Sequence, residues 1–365
     1  MAQSRPRRQD WPHDRVMGRA LRREPPDRET KAQEACSDTM ITEAAIETRQ
    51  GKFCDPDWTA AGEARASVPL QALRTLWINT GSLCNIECRN CYIESSPEND
   101  RLVYMTRAEV ASFLDEIARE ALPTRVIGFT GGEPFMNPNI LAMLGDALHR
   151  GHAVLVLTNA MHPMQRPRIK LGLLALREAH GDGLVIRVSL DHYGKTLHEE
   201  ERGPDTYEKT VEGIDWLARN GFALALAGRT YWGESDESLR EGYGRLAAMR
   251  GWPIDANDPG KLVLFPEMDE HADVPEITTA CWGILHKSPN DVMCSSSRMV
   301  VKRKGAVRPV VLPCTLLPYD QAFEMGVTLG EAARANSGMF DHGAVKLCHP
   351  HCAKFCVLGA GSCSA

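Results

Sequence analysis

The chain contains no apolar run approaching the roughly 20 residues that span a bilayer, and its first residues lack the apolar stretch of a secretory signal. A membrane span and export are therefore not expected, and the expected location is the cytoplasm. Basic charge is not in excess. Lys and Arg number 42 against 48 Asp and Glu, a net charge of −6, so nucleic acid is not an expected partner. A fourth cysteine is missing where it would be most informative. "CNIECRNC" carries Cys84, Cys88 and Cys91, and the nearest other cysteine, Cys54, lies 30 residues upstream. Structural zinc sites use four ligands, usually as two close pairs.

Cysteine itself is abundant, with 12 in 365 residues. Reducing compartments disfavour structural disulfides, so clustered cysteines there point to metal or redox chemistry. Besides the triplet they gather at Cys281, Cys294, Cys314, Cys348, Cys352, Cys356 and Cys363, with Cys36 and Cys54 apart. Residues 1–39 are dense in Arg, Asp, Glu and Pro. Two readings stay open for them: a disordered extension, or a stretch that is not native, with translation starting at Met40.

From residue 75 short apolar runs alternate with helix-period segments. The runs at 76–81, 125–133, 153–159, 184–191, 222–229 and 262–267 read as buried strands. Helices are expected at 106–121, 139–150, 167–180, 205–220 and 235–250, the first with Thr106 and Glu109 spaced for a capping box. This alternation predicts an α/β fold with a parallel sheet and crossover helices, closed into a partial barrel or left open. After about residue 270 the pattern stops. "SRMVVKRKGAVRPVVLPC" reads as a hairpin around Gly305, "TLGEAARAN" as one short helix, and the whole as a small metal-held domain.

Three thiolates leave one iron of a cluster uncapped and open to a small molecule. The triplet spacing, the strand before it, and "FTGGEPFMNP" after the second strand resemble the radical S-adenosylmethionine (SAM) enzymes. The resemblance implies a partial (β/α)6 TIM-type barrel over residues 72–268 and a [4Fe–4S] cluster on Cys84, Cys88 and Cys91. SAM would be chelated at the open iron and cleaved to a 5′-deoxyadenosyl radical that abstracts a substrate hydrogen. Gly131, Gly132 and Glu133, stiffened by Pro134, would receive the methionine amino group. Thr158 and Asn159 end the third strand, and Ser189 and Asp191 the fourth, where polar residues face the ligand side of parallel sheets. Arg202 would pair with the SAM carboxylate. The family's aromatic residue just before the third cysteine is here Asn90, with Tyr92 just after, near the expected adenine position. His192 and Tyr193 face either the substrate or an exposed turn. Glu267 and Asp269 are the only acid–base candidates named, and no catalytic residue is assigned.

The seven later cysteines, in residues 269–365, resemble the auxiliary-cluster domains called SPASM or twitch. They imply one or two auxiliary Fe–S clusters, although the late spacing departs from the usual quartet. His349 and His351 keep zinc open for this part. The family acts on peptides or oxidises small molecules, with a reductant such as flavodoxin or ferredoxin. Residues 40–74 are too short for a winged-helix leader-binding domain, and neither a cobalamin domain nor an RNA-binding barrel is expected. The competing reading is a non-catalytic Fe–S or zinc protein, an electron carrier or interaction module.

Overall fold

Each expected strand is long enough to cross a buried layer and little longer, and the computed structural model shows what that layer is. It describes residues 51–266 and 273–359, all within one unit. Residues 1–39, Cys36, Glu267, Asp269 and Cys363 lie outside the described residues.

Ser67–Val68 forms β1 and Thr75–Asn79 forms β2, followed by β3 (Val126–Thr130), β4 (Ala153–Thr158), β5 (Leu184–Ser189), β6 (Ala223–Arg229) and β7 (Leu262–Phe265). Strands β2 to β7 pair parallel in chain order. Helices Arg107–Arg119, Ile140–His149, Pro167–His180, Thr206–Arg219 and Asp236–Arg250 make the crossovers. This is the partial TIM-type α/β barrel. Thr106 and Glu109 close the expected capping box on the first helix.

Two features go beyond the expected pattern. The hairpin exists, as β8 (Ser297–Val301) and β9 (Val310–Leu312), but β8 pairs parallel with β2, from Thr75↔Ser297 to Ile78↔Val300. The main sheet thus has eight strands, ordered β7-β6-β5-β4-β3-β2-β8-β9, and continues past residue 269. All five residues of β8 are buried, so this strand needs a partner on its edge, and β2 supplies it. A second sheet joins the two ends of the described chain: β1 pairs with β11 (Ala344–Lys346), which also pairs with β10 (Phe340–Asp341).

The sheet core is tight where β2 meets β3. Trp77 is fully buried over Gly128, and a Cβ on that glycine would lie 2.3 Å from the indole. Among the described residues no helix is long and apolar enough to cross a membrane. Gly128→Ala is expected to cost about 1–3 kcal/mol, the usual range for overpacking a close-packed core. Urea denaturation checks this, and an unchanged midpoint would show that Trp77 can move aside.

Candidate functional site

At the carboxyl ends of the parallel strands the loops enclose a cleft of about 1060 Å³. It is assembled first of all by backbone. The loop after β2 runs through residues 80–83 into the cysteines, and the loop after β3 lies directly on it. Gly132 N donates to Gly81 O (2.8 Å) and Glu133 N to Leu83 O (3.1 Å). A Cβ on Gly131 would sit 2.5 Å from Gly81 O, and one on Gly132 only 2.2 Å from Leu83 O. Gly131 also has φ +138°, a conformation that favours glycine. The paired glycines are thus needed for loop-on-loop contact.

The three thiols of Cys84, Cys88 and Cys91 line this cleft. Burial pushes Cys84 and Cys88 up to about 12, the second shift partly offset by Arg202. Tyr92, Gly131, Gly132, Asn159, Ser189, Asp191 and Arg202 line it too. Of the residues expected there, Glu133 and Pro134 do not. Pro134 opens a buried 3-10 turn, and the Glu133 carboxylate caps it, accepting from Phe135 N (3.0 Å). It also accepts from Thr158 Oγ1 and Asn159 N, both at 2.9 Å. Burial raises Glu133 to about 7, against the pull of these donors. Asn159 in turn donates to Asn85 Oδ1 (2.9 Å), tying the end of β4 to the cysteine loop.

The far wall is ionic. Asp191 is buried, with Arg202 Nε 2.8 Å from its Oδ2 and Arg229 Nε 3.6 Å from its Oδ1. Burial alone would raise Asp191, but the two guanidinium groups hold it below the ordinary carboxylate range. Arg202 ends a helix, Lys195–Arg202, whose polar sequence gave no strong helix signal. Its neighbour Glu201, also buried, reaches into the cysteine loop. It accepts from Asn90 N (2.9 Å) and Asn90 Nδ2 (2.7 Å), while its backbone oxygen takes Arg89 N (2.8 Å). Arg229 Nη2 donates to Asn90 O (3.1 Å). Asn90, which departs from the family pattern, is therefore held by both an acid and a base. Sequence reasoning missed Glu201 and Arg229. For Arg229 a signal existed, since it is the polar end of β6.

His192 and Tyr193 do not line the cleft. His192 Nδ1 accepts from Gly194 N (2.8 Å), and its Nε2 lies 2.9 Å from Glu234 Oε1. Tyr193 Oη donates to Glu234 Oε2 (3.0 Å). Both are tied to the chain's own groups.

A smaller pocket of about 350 Å³ adjoins the cleft, and Cys294, Cys314, Cys352 and Cys356 line it together with His351. Leu316 lines both spaces, and Thr315 and Phe355 face the larger one. Phe355 lies on the last described helix, Cys352–Leu358, and stacks on Phe265 at the end of β7 (5.7 Å between centroids). Cys281 and Cys348 line neither space. The Cys281 sulfur accepts from Thr278 N (3.3 Å), and the Cys348 thiol donates to Phe53 O (3.1 Å). His349 lies beside His351, 4.7 Å between ring centroids, and burial pulls it down to about 3.

Comparison with known proteins agrees with this geometry. Residues 78–241 match the family model described as the radical SAM superfamily. The antilisterial bacteriocin subtilosin biosynthesis protein AlbA of Bacillus subtilis is 25% identical over 287 residues, 73% of this chain. The match spans 59% of that relative's length. Two solved structures share the fold. SuiB of Streptococcus suis bound to S-adenosylmethionine has a TM-score of 0.52 at 12% identity, over 74% of this chain and 67% of that one. The protein anSMEcpe with bound AdoMet has a TM-score of 0.55 at 16% identity, over 76% and 80%. The thiol triplet, the glycine pair and the ends of β3 to β6 that meet in one cleft all lie within residues 78–241, the stretch that is similar to the radical SAM superfamily.

Proposed function

We propose that this chain is a radical SAM enzyme that modifies a peptide, with Cys84, Cys88 and Cys91 holding a [4Fe–4S] cluster. The observation that carries this reading is the convergence of three thiols and the polar ends of β3, β4 and β5 on one cleft. The donor set is all sulfur, which suits iron–sulfur clusters. Among the described residues no three Cys, His, Asp or Glu side chains are gathered to hold a single metal ion. When bound, such a cluster supplies the electron that cleaves SAM to methionine and a 5′-deoxyadenosyl radical, which takes hydrogen from the substrate.

The chain's own groups bind and orient. Arg202 lowers the cost of the Cys88 thiolate and stands at the cleft wall as the cation for the SAM carboxylate. Gly131 and Gly132 offer backbone to the methionine amino group. Asn159, Ser189 and Tyr92 are placed for the ribose and adenine. Phe355 and Phe265 close the side that faces the C-terminal cysteines and exclude water. Cys294, Cys314, Cys352 and Cys356 form the auxiliary Fe–S site, one residue from the cleft wall at Thr315. A flavodoxin or ferredoxin would supply the electron. Similarity to a bacteriocin biosynthesis protein favours a peptide substrate over a small molecule.

Anaerobically reconstituted and reduced protein is expected to show an EPR signal that shifts with SAM and to form 5′-deoxyadenosine. The shift is expected to vanish in the Cys84→Ala/Cys88→Ala/Cys91→Ala variant. Peptide pools should raise 5′-deoxyadenosine output and gain a mass change, whereas sugar and alcohol pools should not. Stoichiometric zinc without a SAM-sensitive signal would sink the enzyme reading, and stimulation by small molecules alone would sink the peptide.

Glu201 is expected to act as a brace for the cysteine loop. Glu201→Ala removes the acceptor for both Asn90 donors, at about 1.5–3 kcal/mol for each hydrogen bond to a charged group. Iron retention at the triplet should weaken by roughly 10–100-fold, as for other supports of metal ligands. Iron analysis after graded chelator treatment checks this, and retention equal to the parent would show that the loop holds itself.

A further inference from the structure

Several large, mostly buried cations among the described residues are paired with acids. Arg65 meets Glu276 at 2.6 Å, and Arg202 and Arg229 share Asp191. Arg298, at the second position of β8, is 1% exposed. Its Nη1 donates to the carbonyl oxygens of Cys294 (2.6 Å) and Ser297 (2.7 Å), and its Nη2 to Gly343 O (3.2 Å). All three acceptors are neutral, and its Nε is buried without a hydrogen-bond partner. A guanidinium stays charged in proteins, and a buried charge without a counter-ion is strongly unfavourable. The guanidinium thus lies against the backbone of Cys294, one of the four cysteines that line the smaller pocket.

We propose that Arg298 is the internal counter-ion of an anionic iron–sulfur cluster held by Cys294, Cys314, Cys352 and Cys356, and that it raises that cluster's reduction potential. This rests on the reading of the pocket as an auxiliary Fe–S site. Four thiolates around an iron–sulfide core carry a net negative charge that grows by one on reduction. A fixed cation hydrogen-bonded to the backbone of one ligand, Cys294, stabilises the reduced form more than the oxidised form. Net charge and nearby hydrogen bonds are among the terms that set cluster potentials. In the empty chain the same cation is a cost, so Arg298 favours the loaded state over the empty one. Arg298 is thus a positioning and tuning residue; the structure gives it no contact with the cleft.

The test uses the full chain carrying Cys84→Ala/Cys88→Ala/Cys91→Ala, so that iron and EPR signal report the smaller pocket alone. Arg298→Lys and Arg298→Gln are compared with this parent by redox titration. Arg298→Gln is expected to lower the reduction equilibrium constant at least tenfold, about 59 mV for one electron, and Arg298→Lys by less. Removing the metal should reverse the stability order: empty Arg298→Gln unfolds at the same or higher denaturant than its empty parent, and loaded Arg298→Gln at lower denaturant. Equal potentials with iron retained, or a loss of stability that is the same empty and loaded, would overturn the counter-ion and leave the cluster. A parent that binds zinc, or no metal, in this pocket would overturn the cluster reading and the counter-ion with it.

Discussion

Everything at the mouth of this barrel hangs on a buried chain of charge: Glu201, Arg229, Asp191 and Arg202. Two acids and two bases alternate, so no member is left alone in a low-dielectric setting. The chain draws on three segments, the end of β5, the end of β6 and the helix Lys195–Arg202. It closes on the backbone and side chain of Asn90. A loop with two residues between Cys88 and Cys91 has little internal structure to fix its thiols. Here the fixing comes from outside, from a salt-linked wall, while the glycine contact below it sets the height of the loop above the sheet.

The second level of organisation is the thin partition between the two spaces. Cys314 faces one side, Thr315 faces the other, and Leu316 touches both. The helix Cys352–Leu358 does the same at larger scale, with cysteines toward the pocket and Phe355 toward the cleft. Such a wall keeps the two sets of thiols apart by little more than a side chain. An apolar partition excludes water, which strengthens each electrostatic interaction on either side.

The six core strands and their helices were legible because each is a buried apolar run with polar ends, and short runs of this kind allow few alternatives. The cysteine triplet and the glycine pair were legible by spacing. Other parts were not. "KTLHEEER" buries little besides His198 and Glu201, so its helix comes from tertiary contact and leaves no apolar stripe. The pairing of β8 with β2 joins residues more than 200 apart in sequence, and an edge match of that kind leaves no local mark. The burial of Arg298 is visible only in the fold, where both faces of β8 are covered. Cys281 and Cys348 look like their neighbours in spacing, yet the backbone turns them toward other carbonyls and amides.

The shared sheet has a consequence for how the chain divides. In β2 the N–H and C=O groups that point away from β3 are occupied by β8. If the C-terminal stretch were cut away, the barrel would keep its six parallel strands but lose the cover of its first. That bare ladder is a template for pairing with another chain, a route to aggregation. The cysteine-rich end is therefore the seam that closes the barrel as well as the holder of its own pocket, and it is not a detachable module.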